Sequence, residues 1–318
     1  MKSILGIHHV TAIADDPQRN INFYTGVLGL RLVKVTVNFD DPGTYHFYYG
    51  DGHGHPGTIL TFFTWPGARR GRHGNSQVTV TSFAIPKGAI PFWLDRFAAK
   101  GIDVENPLER FGQRVLPFSD GDGLRLELIE TADADAAHIW AQSGVPAESA
   151  IRGFHSATLS ETGYERTAAL LQDTMGFRLT AQEQNRFRYE VAGDGASKTV
   201  DVVCSPGGVE GRVAAGTVHH IAWRTADDAQ QHEWLGEVTR LGYNVSPVMD
   251  RVYFHSIYFR EPGGILFEIA TDPPGFTVDE RLEELGTGLR LPPWLEAQRS
   301  RIERVLPPIQ PHAREAAS

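Results

Sequence analysis

One pattern recurs four times along this chain, and it leaves few folds open. Each copy starts with a short strand-like run, passes through an amphipathic helical segment stopped by a glycine, and returns through several strand-like runs. The first copy runs from about Ile4 to Trp65, with strand Gly6 to Ile13, helix Pro17 to Val27 and a stop near Gly29. The second runs from about Ser76 to Thr131, with strand Val78 to Ile85, helix Ala89 to Lys100, stop Gly101 and final strand Leu124 to Ile129. The third runs from about Arg152 to Cys204, with strand Gly153 to Leu159, helix Tyr164 to Thr174, stop Gly176 and final strand Thr199 to Cys204. The fourth runs from about Thr217 to Thr271, with strand Val218 to Arg224, helix Ala226 to Leu241, stop Gly242 and final strand Ile265 to Ala270.

A βαβββ unit offers a curved sheet with one open face, and two units can close that face into a cup. The expected fold is therefore α+β: four βαβββ modules forming paired cupped, barrel-like sheets. The linkers divide it. Ala132 to Ala150 is rich in Ala, Asp and Ser, and Pro206-Gly207-Gly208 separates the last two modules. This gives an N-terminal domain over 1–131, a C-terminal domain over 152–271, each of two modules, and a tail over 272–318. In that tail Trp294 to Val305 is expected to be helical and packed on the body, with a frayed end over Pro311 to Ser318.

Composition narrows the function. At 41% hydrophobic and 22% charged the chain reads as a soluble globular protein, with no apolar run long enough for a membrane span and no signal-peptide core after Met1. The single cysteine, Cys204, excludes an internal disulfide framework and a Cys-based zinc site, in keeping with a cytoplasmic protein. A net charge of -9 argues against a nucleic-acid partner. The basic run Arg69-Arg70-Gly71-Arg72-His73 reads as a solvated loop. A homo-oligomer is compatible with all of this.

Chemistry enters through a doublet that appears twice. Ile7-His8-His9-Val10 opens module one, and Val218-His219-His220-Ile221 opens module four. The corresponding position reads Thr79 in module two and Ser156 in module three. Aligned on their glycines, the last strands carry Thr61 in module one, Glu127 in module two and Glu268 in module four. Two histidines and one carboxylate make the ligand set His9, His220 and Glu268, that of a non-haem Fe(II) site with open positions for substrate and O2. Glu127 is the competing carboxylate; Glu268 is preferred because its own module also supplies a histidine. By the two-residue period of a strand, His8 and His219 point away from the metal and suit supporting roles. His155 aligns with His8 and receives no metal role. His46, His53 and His55 lie in or beside a Gly/Asp-rich stretch and read as surface loop.

The stretch Ile257-Tyr258-x-x-Glu261-Pro262-x-Gly264-x-x-x-Glu268 resembles the signature of extradiol ring-cleaving dioxygenases of the vicinal oxygen chelate (glyoxalase/extradiol dioxygenase) superfamily. In that signature the last glutamate binds metal and the tyrosine lies near the substrate oxygens. Catechol enzymes usually carry a histidine some residues before that tyrosine; here Arg251 stands at about that spacing, which is similar to the branch that cleaves hydroquinones, chlorinated ones included. The resemblance implies Fe(II), with Mn(II) an alternative, and a small aromatic substrate with O2 as partners. Arg251 would stabilise a phenolate or bound O2-derived charge, Tyr258 would donate to the same oxygens, and His8, His219 or His255 would move a proton. Phe39, Tyr45, Phe47 and Trp65 are candidates to line a flat pocket. Two other readings stand beside it. A glyoxalase-type isomerase on nickel or zinc needs a fourth ligand where Thr61 stands. A metal-free aromatic-binding or resistance protein of the same fold needs no ligand set.

Overall fold

The structure, a computed structural model, describes residues 3–132, 139–193 and 197–311. Its sixteen strands fall into the four modules. Module one holds β1 (Ile7–Ala14), β2 (Arg31–Asn38), β3 (Asp41–Gly50) and β4 (Ile59–Thr64). Module two holds β5 (Gln77–Pro86), β6 (Leu108–Arg110), β7 (Gln113–Ser119) and β8 (Arg125–Thr131). Module three holds β9 (Phe154–Glu161), β10 (Phe177–Glu183), β11 (Arg186–Val191) and β12 (Thr199–Cys204). Module four holds β13 (Val218–Thr225), β14 (Met249–Asp250), β15 (Phe254–Arg260) and β16 (Leu266–Pro274). One helix follows the first strand of each: α1 (Pro17–Ile21), α2 (Ile90–Ala99), α3 (Glu165–Ala169) and α4 (Asp228–Arg240). The helices α1 and α3 widen into π turns over Asn22–Val27 and Leu170–Thr174.

Local chemistry explains the boundaries. The Asp16 and Asp227 carboxylates accept from the third residue of α1 and α4, satisfying otherwise orphaned N–H groups. The stop glycines Gly101 and Gly242 adopt φ of 66° and 84°, a left-handed conformation in which a Cβ is disfavoured.

The modules pair across the sequence halves. One eight-stranded sheet has the order β14-β15-β16-β13-β1-β4-β3-β2, joining modules four and one; the other, β10-β11-β12-β9-β5-β8-β7-β6, joins three and two. Each sheet thus takes one module from 1–131 and one from 152–271. The junction in the first sheet is the antiparallel pair β1 and β13, the two strands with the histidine doublets.

Strand alternation separates two cores. On the convex face Ile221, Trp223, Ile257, Phe267 and Ile269 join the helical Ile21, Tyr24, Trp93 and Trp234 in the main hydrophobic core. On the concave face Tyr48, Ile59, Ala222, Phe254 and Ala270 form a smaller one inside the cup. The tail closes one side of the cup. Lys34 of β2 is fully buried there, with Nζ 2.5 Å from Asp279 Oδ1, 3.1 Å from the Phe276 carbonyl and also bonded to Glu280. The segment expected as one helix from Trp294 is a 3₁₀ turn over Glu296–Gln298 followed by α5 (Arg299–Val305). Of the end expected to fray, residues 312–318 lie outside the described residues. No described helix is long and apolar enough to cross a membrane.

Candidate metal centre

Register places the ligands. On the concave face one row across neighbouring strands reads Tyr258, Glu268, Ala222, His9, Ile59, from β15 to β4. The next row reads His220, Thr11, Thr61, Tyr48, from β13 to β3. Glu268 and His9 are therefore separated by one strand, and the residue between them is alanine. Its small side chain leaves the space over which both longer side chains meet, with His220 beside it on the same strand.

The three ligand atoms converge there. Glu268 Oε2 lies 3.2 Å from His9 Nε2 and 2.9 Å from His220 Nε2, and all three residues are buried. Among the described residues this is the one trio of such side chains whose ligand atoms all fall within 4.8 Å of one another. Ser256 donates to the other carboxylate oxygen, Oε1, and so fixes which oxygen faces the histidines.

The hydrogen-bond arrangement suits a cation. His8 Nε2 is 3.1 Å from the carbonyl of Thr271, which can only accept, so His8 donates from Nε2. In a neutral ring its Nδ1 then accepts from His9 Nδ1, 2.9 Å away, and His9 Nε2 is the nitrogen aimed at the carboxylate. His219 and His220 repeat the contact, Nδ1 to Nδ1 at 2.8 Å. Burial, reinforced by neighbouring imidazoles, keeps His8 and His219 neutral; the latter is pushed down to about 3. Burial also lowers His220, against the pull of Glu268. Glu268 itself would be raised by burial, but His9 and His220 hold it well below the usual carboxylate range. The two Nδ1 contacts turn both Nε2 atoms toward one carboxylate oxygen, where a positive ion would be bound by all three side chains. Cis ligands about 2.1 Å from an octahedral ion stand about 3 Å apart, the spacing observed. The residues present thus fit a divalent metal.

Above this trio opens a cavity of about 290 Å3, the scale of one substituted six-membered ring. Phe39, Phe63, Trp65, Phe254 and Leu266 give it apolar walls. Of the aromatics expected to line it, Phe39 and Trp65 do, whereas Tyr45 and Phe47 belong to the convex core. Arg251 and Tyr258 lie at the cavity together: Arg251 Nε donates to Tyr258 Oη at 3.1 Å, and its Nη1 is 3.1 Å from Asp40 at the rim. Burial and the charge of Glu268 raise Tyr258, so its phenol keeps its proton at neutral pH.

Other residues sit elsewhere than expected. His255 does not line the cavity. It alternates with Ser256 and Tyr258 of β15, so it faces the outer side, and it pairs with Asp228 of α4 at 2.6 Å, which takes it out of any proton transfer inside the cup. His8 supports His9 from behind, while His219 reaches the cavity wall. His46, expected in a surface loop, is a half-buried β3 residue that lines the cavity; its Nε2 is 2.8 Å from Thr61 Oγ1 and its Nδ1 3.0 Å from Tyr48 Oη. The aromatic run from Tyr45 to Tyr49 hides the alternation that would have revealed this. His53 and His55 do lie in the turn between β3 and β4. Arg70 and Arg72 are exposed but tethered to the carbonyls of Gly121 and Glu210.

The second sheet holds no comparable centre among its described residues. Glu127 is clamped by Arg110 at 2.8 and 2.9 Å and by Ser82 at 2.8 Å, and Asp201 is clamped by Arg188 and Arg186. His155, pushed down to about 4 by burial and Arg188, binds Ser156.

Comparison with known proteins agrees with this architecture. The family model described as Glyoxalase/Bleomycin resistance protein/Dioxygenase superfamily matches residues 6–128 and 153–269. The Bacillus subtilis (strain 168) protein named "Putative ring-cleaving dioxygenase MhqO" is 49% identical over 309 residues, covering 97% of this chain and 98% of its own. The "Chlorohydroquinone/hydroquinone 1,2-dioxygenase" of Sphingobium indicum is 34% identical over 307 residues, covering 95% of each chain. A crystal structure of a "putative dioxygenase" from Bacillus subtilis superposes with TM-score 0.94 at 48% identity, over 99% of this chain and 100% of that one. Glyoxalase I from Zea mays, at 16% identity and TM-score 0.63 over 84% of this chain and 92% of its own, shares the fold.

Proposed function

The chain belongs to the glyoxalase/bleomycin resistance protein/dioxygenase superfamily, and from that premise we propose that it is a metal-dependent dioxygenase that cleaves the ring of a hydroquinone-type aromatic, plain or chlorinated. The observation that carries the reading is a three-ligand face, His9, His220 and Glu268, at the base of an aromatic-walled cavity that also holds Arg251 and Tyr258. Fe(II), or Mn(II) on the same ligands, would hold a phenolate oxygen and O2 together at the positions that three protein ligands leave open.

The protein's own groups do the rest. The apolar walls take the flat ring and exclude water, which strengthens every charge interaction inside. Arg251 stays protonated despite burial because Tyr258, Asp40 and Glu268 all favour its charge. It therefore places a fixed positive charge where anionic oxygen accumulates. Tyr258, opposite Glu268 in the register, donates a hydrogen bond to the same oxygens. His219, neutral and at the wall with its Nδ1 taken by His220, offers its Nε2–H as a donor to a substrate oxygen. Against an isomerase stands Thr61. The residue at the fourth-ligand position is a hydroxyl already committed to His46 and Thr11.

The test is anaerobic reconstitution with iron or manganese, followed by O2 uptake and product absorbance with hydroquinone, chlorohydroquinone and catechol. Stoichiometric uptake with the hydroquinones that is lost in His9→Ala and Glu268→Ala is expected. Full metal occupancy without uptake on any of the three would overturn the reading.

A further inference from the structure

A chain of four polar side chains leads from the wall of the same cavity into the sheet and is not used by the chemistry above. Thr61 Oγ1 donates to Thr11 Oγ1 at 2.9 Å, and His46 Nε2 lies 2.8 Å from that Thr61 oxygen. With the Thr61 proton committed to Thr11, His46 donates from Nε2 and its Nδ1 is left as an acceptor. Tyr48 Oη, 3.0 Å from that Nδ1, supplies the proton. The phenolic oxygen of Tyr48 is then a pure acceptor toward the cavity, held in one orientation by a relay that ends in the sheet.

Its place is as telling as its polarity. Tyr48 stands in the same register row as His220, three strand spacings of about 4.8 Å away. Both residues line the one cavity. Tyr258 on β15 and Tyr48 on β3 flank the ligand-bearing strands β16, β13 and β1 on opposite sides, so the cavity has polar groups on both flanks of the metal face. A ring with two hydroxyls at opposite ends has one oxygen for the metal and one for Tyr48. A ring with adjacent hydroxyls puts both at the metal and leaves Tyr48 unmatched, and an unmatched buried polar group costs binding energy.

Resting on the ring-cleavage reading, we propose that Tyr48, oriented by His46 and Thr61, accepts a hydrogen bond from the hydroxyl para to the metal-bound oxygen and so selects 1,4-dihydroxybenzenes over phenols and catechols. Anaerobic calorimetric titration of the metal-loaded protein with hydroquinone, catechol and phenol tests it. Hydroquinone is expected to bind about tenfold more tightly than phenol, the worth of one hydrogen bond. Tyr48→Phe should erase that preference by weakening hydroquinone about tenfold while leaving phenol unchanged. Thr61→Val, which keeps the tyrosine but frees the relay, should lose part of it. A preference that survives Tyr48→Phe, or an equal loss for both ligands, overturns the inference; should Tyr48→Phe fail to fold, an unchanged ratio in Thr61→Val does so. Oxygen uptake separates the two levels. Uptake with hydroquinone alongside a ratio indifferent to Tyr48 refutes only the selection, whereas neither binding nor uptake refutes ring cleavage and the selection with it.

Discussion

His8 ties the ring of His9 to the strand that carries Glu268. Its Nε2 reaches the carbonyl of Thr271, which lies on β16 beyond that carboxylate, and its Nδ1 meets His9 Nδ1. One strand thus supplies a ligand directly and orients a second through an intermediate imidazole. The doublet His219-His220 repeats the contact between rings, so the repeat in the sequence is a repeat of ligand plus support.

Removing the support should loosen the metal without removing a ligand. His8→Phe keeps a buried ring of similar shape but frees His9 to rotate or change tautomer. Partners of this kind typically contribute 10- to 100-fold in metal affinity. We expect a drop of about that size in a chelator-competition titration. Unchanged affinity would show that packing alone orients His9.

Metal should also stabilise the fold, because the three side chains that would bind it converge in a buried site only in the folded state. A ligand at about 1,000 times its dissociation constant adds about 4 kcal/mol to the folded state. Thermal unfolding with Mn(II) and after chelation should therefore differ by several degrees, and the difference should vanish in Glu268→Ala. Equal melting temperatures would refute a metal bound by these residues.

Much of this was legible in the chain. The modules, their stop glycines and the choice of His9, His220 and Glu268, which the fold brings together, follow from period, punctuation and the recurring doublet. The pairing of modules one and four was not, since strand neighbours far apart in sequence leave no local signal; only the requirement that His9 and Glu268 meet pointed to it. His46 escaped because Tyr45, Phe47, Tyr48 and Tyr49 beside it in β3 are all aromatic, so alternation could not tell cup from core. His255 is one residue from Ser256 and three from Tyr258, which face the cup, so the two-residue period of β15 already turns it outward; that signal was in the sequence beside the Tyr258 motif.

Ala222 offers a test of the row geometry. It lies fully buried between Glu268 and His9. Ala222→Leu would put a branched side chain where the two ligands converge, at a packing cost of about 1–3 kcal/mol. We expect a folded protein by circular dichroism that retains little metal by elemental analysis. Full metal content would mean that the ligands meet elsewhere.

Proton linkage should appear far from the metal, at the seam between modules three and four. Thr167 Oγ1 lies 2.7 Å from Glu161 Oε2 and 2.6 Å from Glu261 Oε2, and both carboxyls are buried. A hydroxyl has one proton to give, so one of the two acids must donate its own. Glu261 also accepts from the N–H groups of Gly263 and Ile265, which suits the charged form. Glu161 is therefore the protonated partner, pushed up to about 8 by burial and by the charge of Glu261. In the unfolded chain it ionises near 4.5. Between these values the folded protein holds a proton that the unfolded one has lost, so stability is full at the acid end and declines as pH rises, by at most about 1.4 kcal/mol per unit. Above about pH 8 this decline ends. Glu161→Gln keeps the hydrogen bond to Thr167 without the ionisation. Its denaturant midpoint should stay flatter from pH 5 to 8 than that of the parent and exceed it at the alkaline end. Parallel profiles for the two proteins would show that Glu161 does not hold the proton.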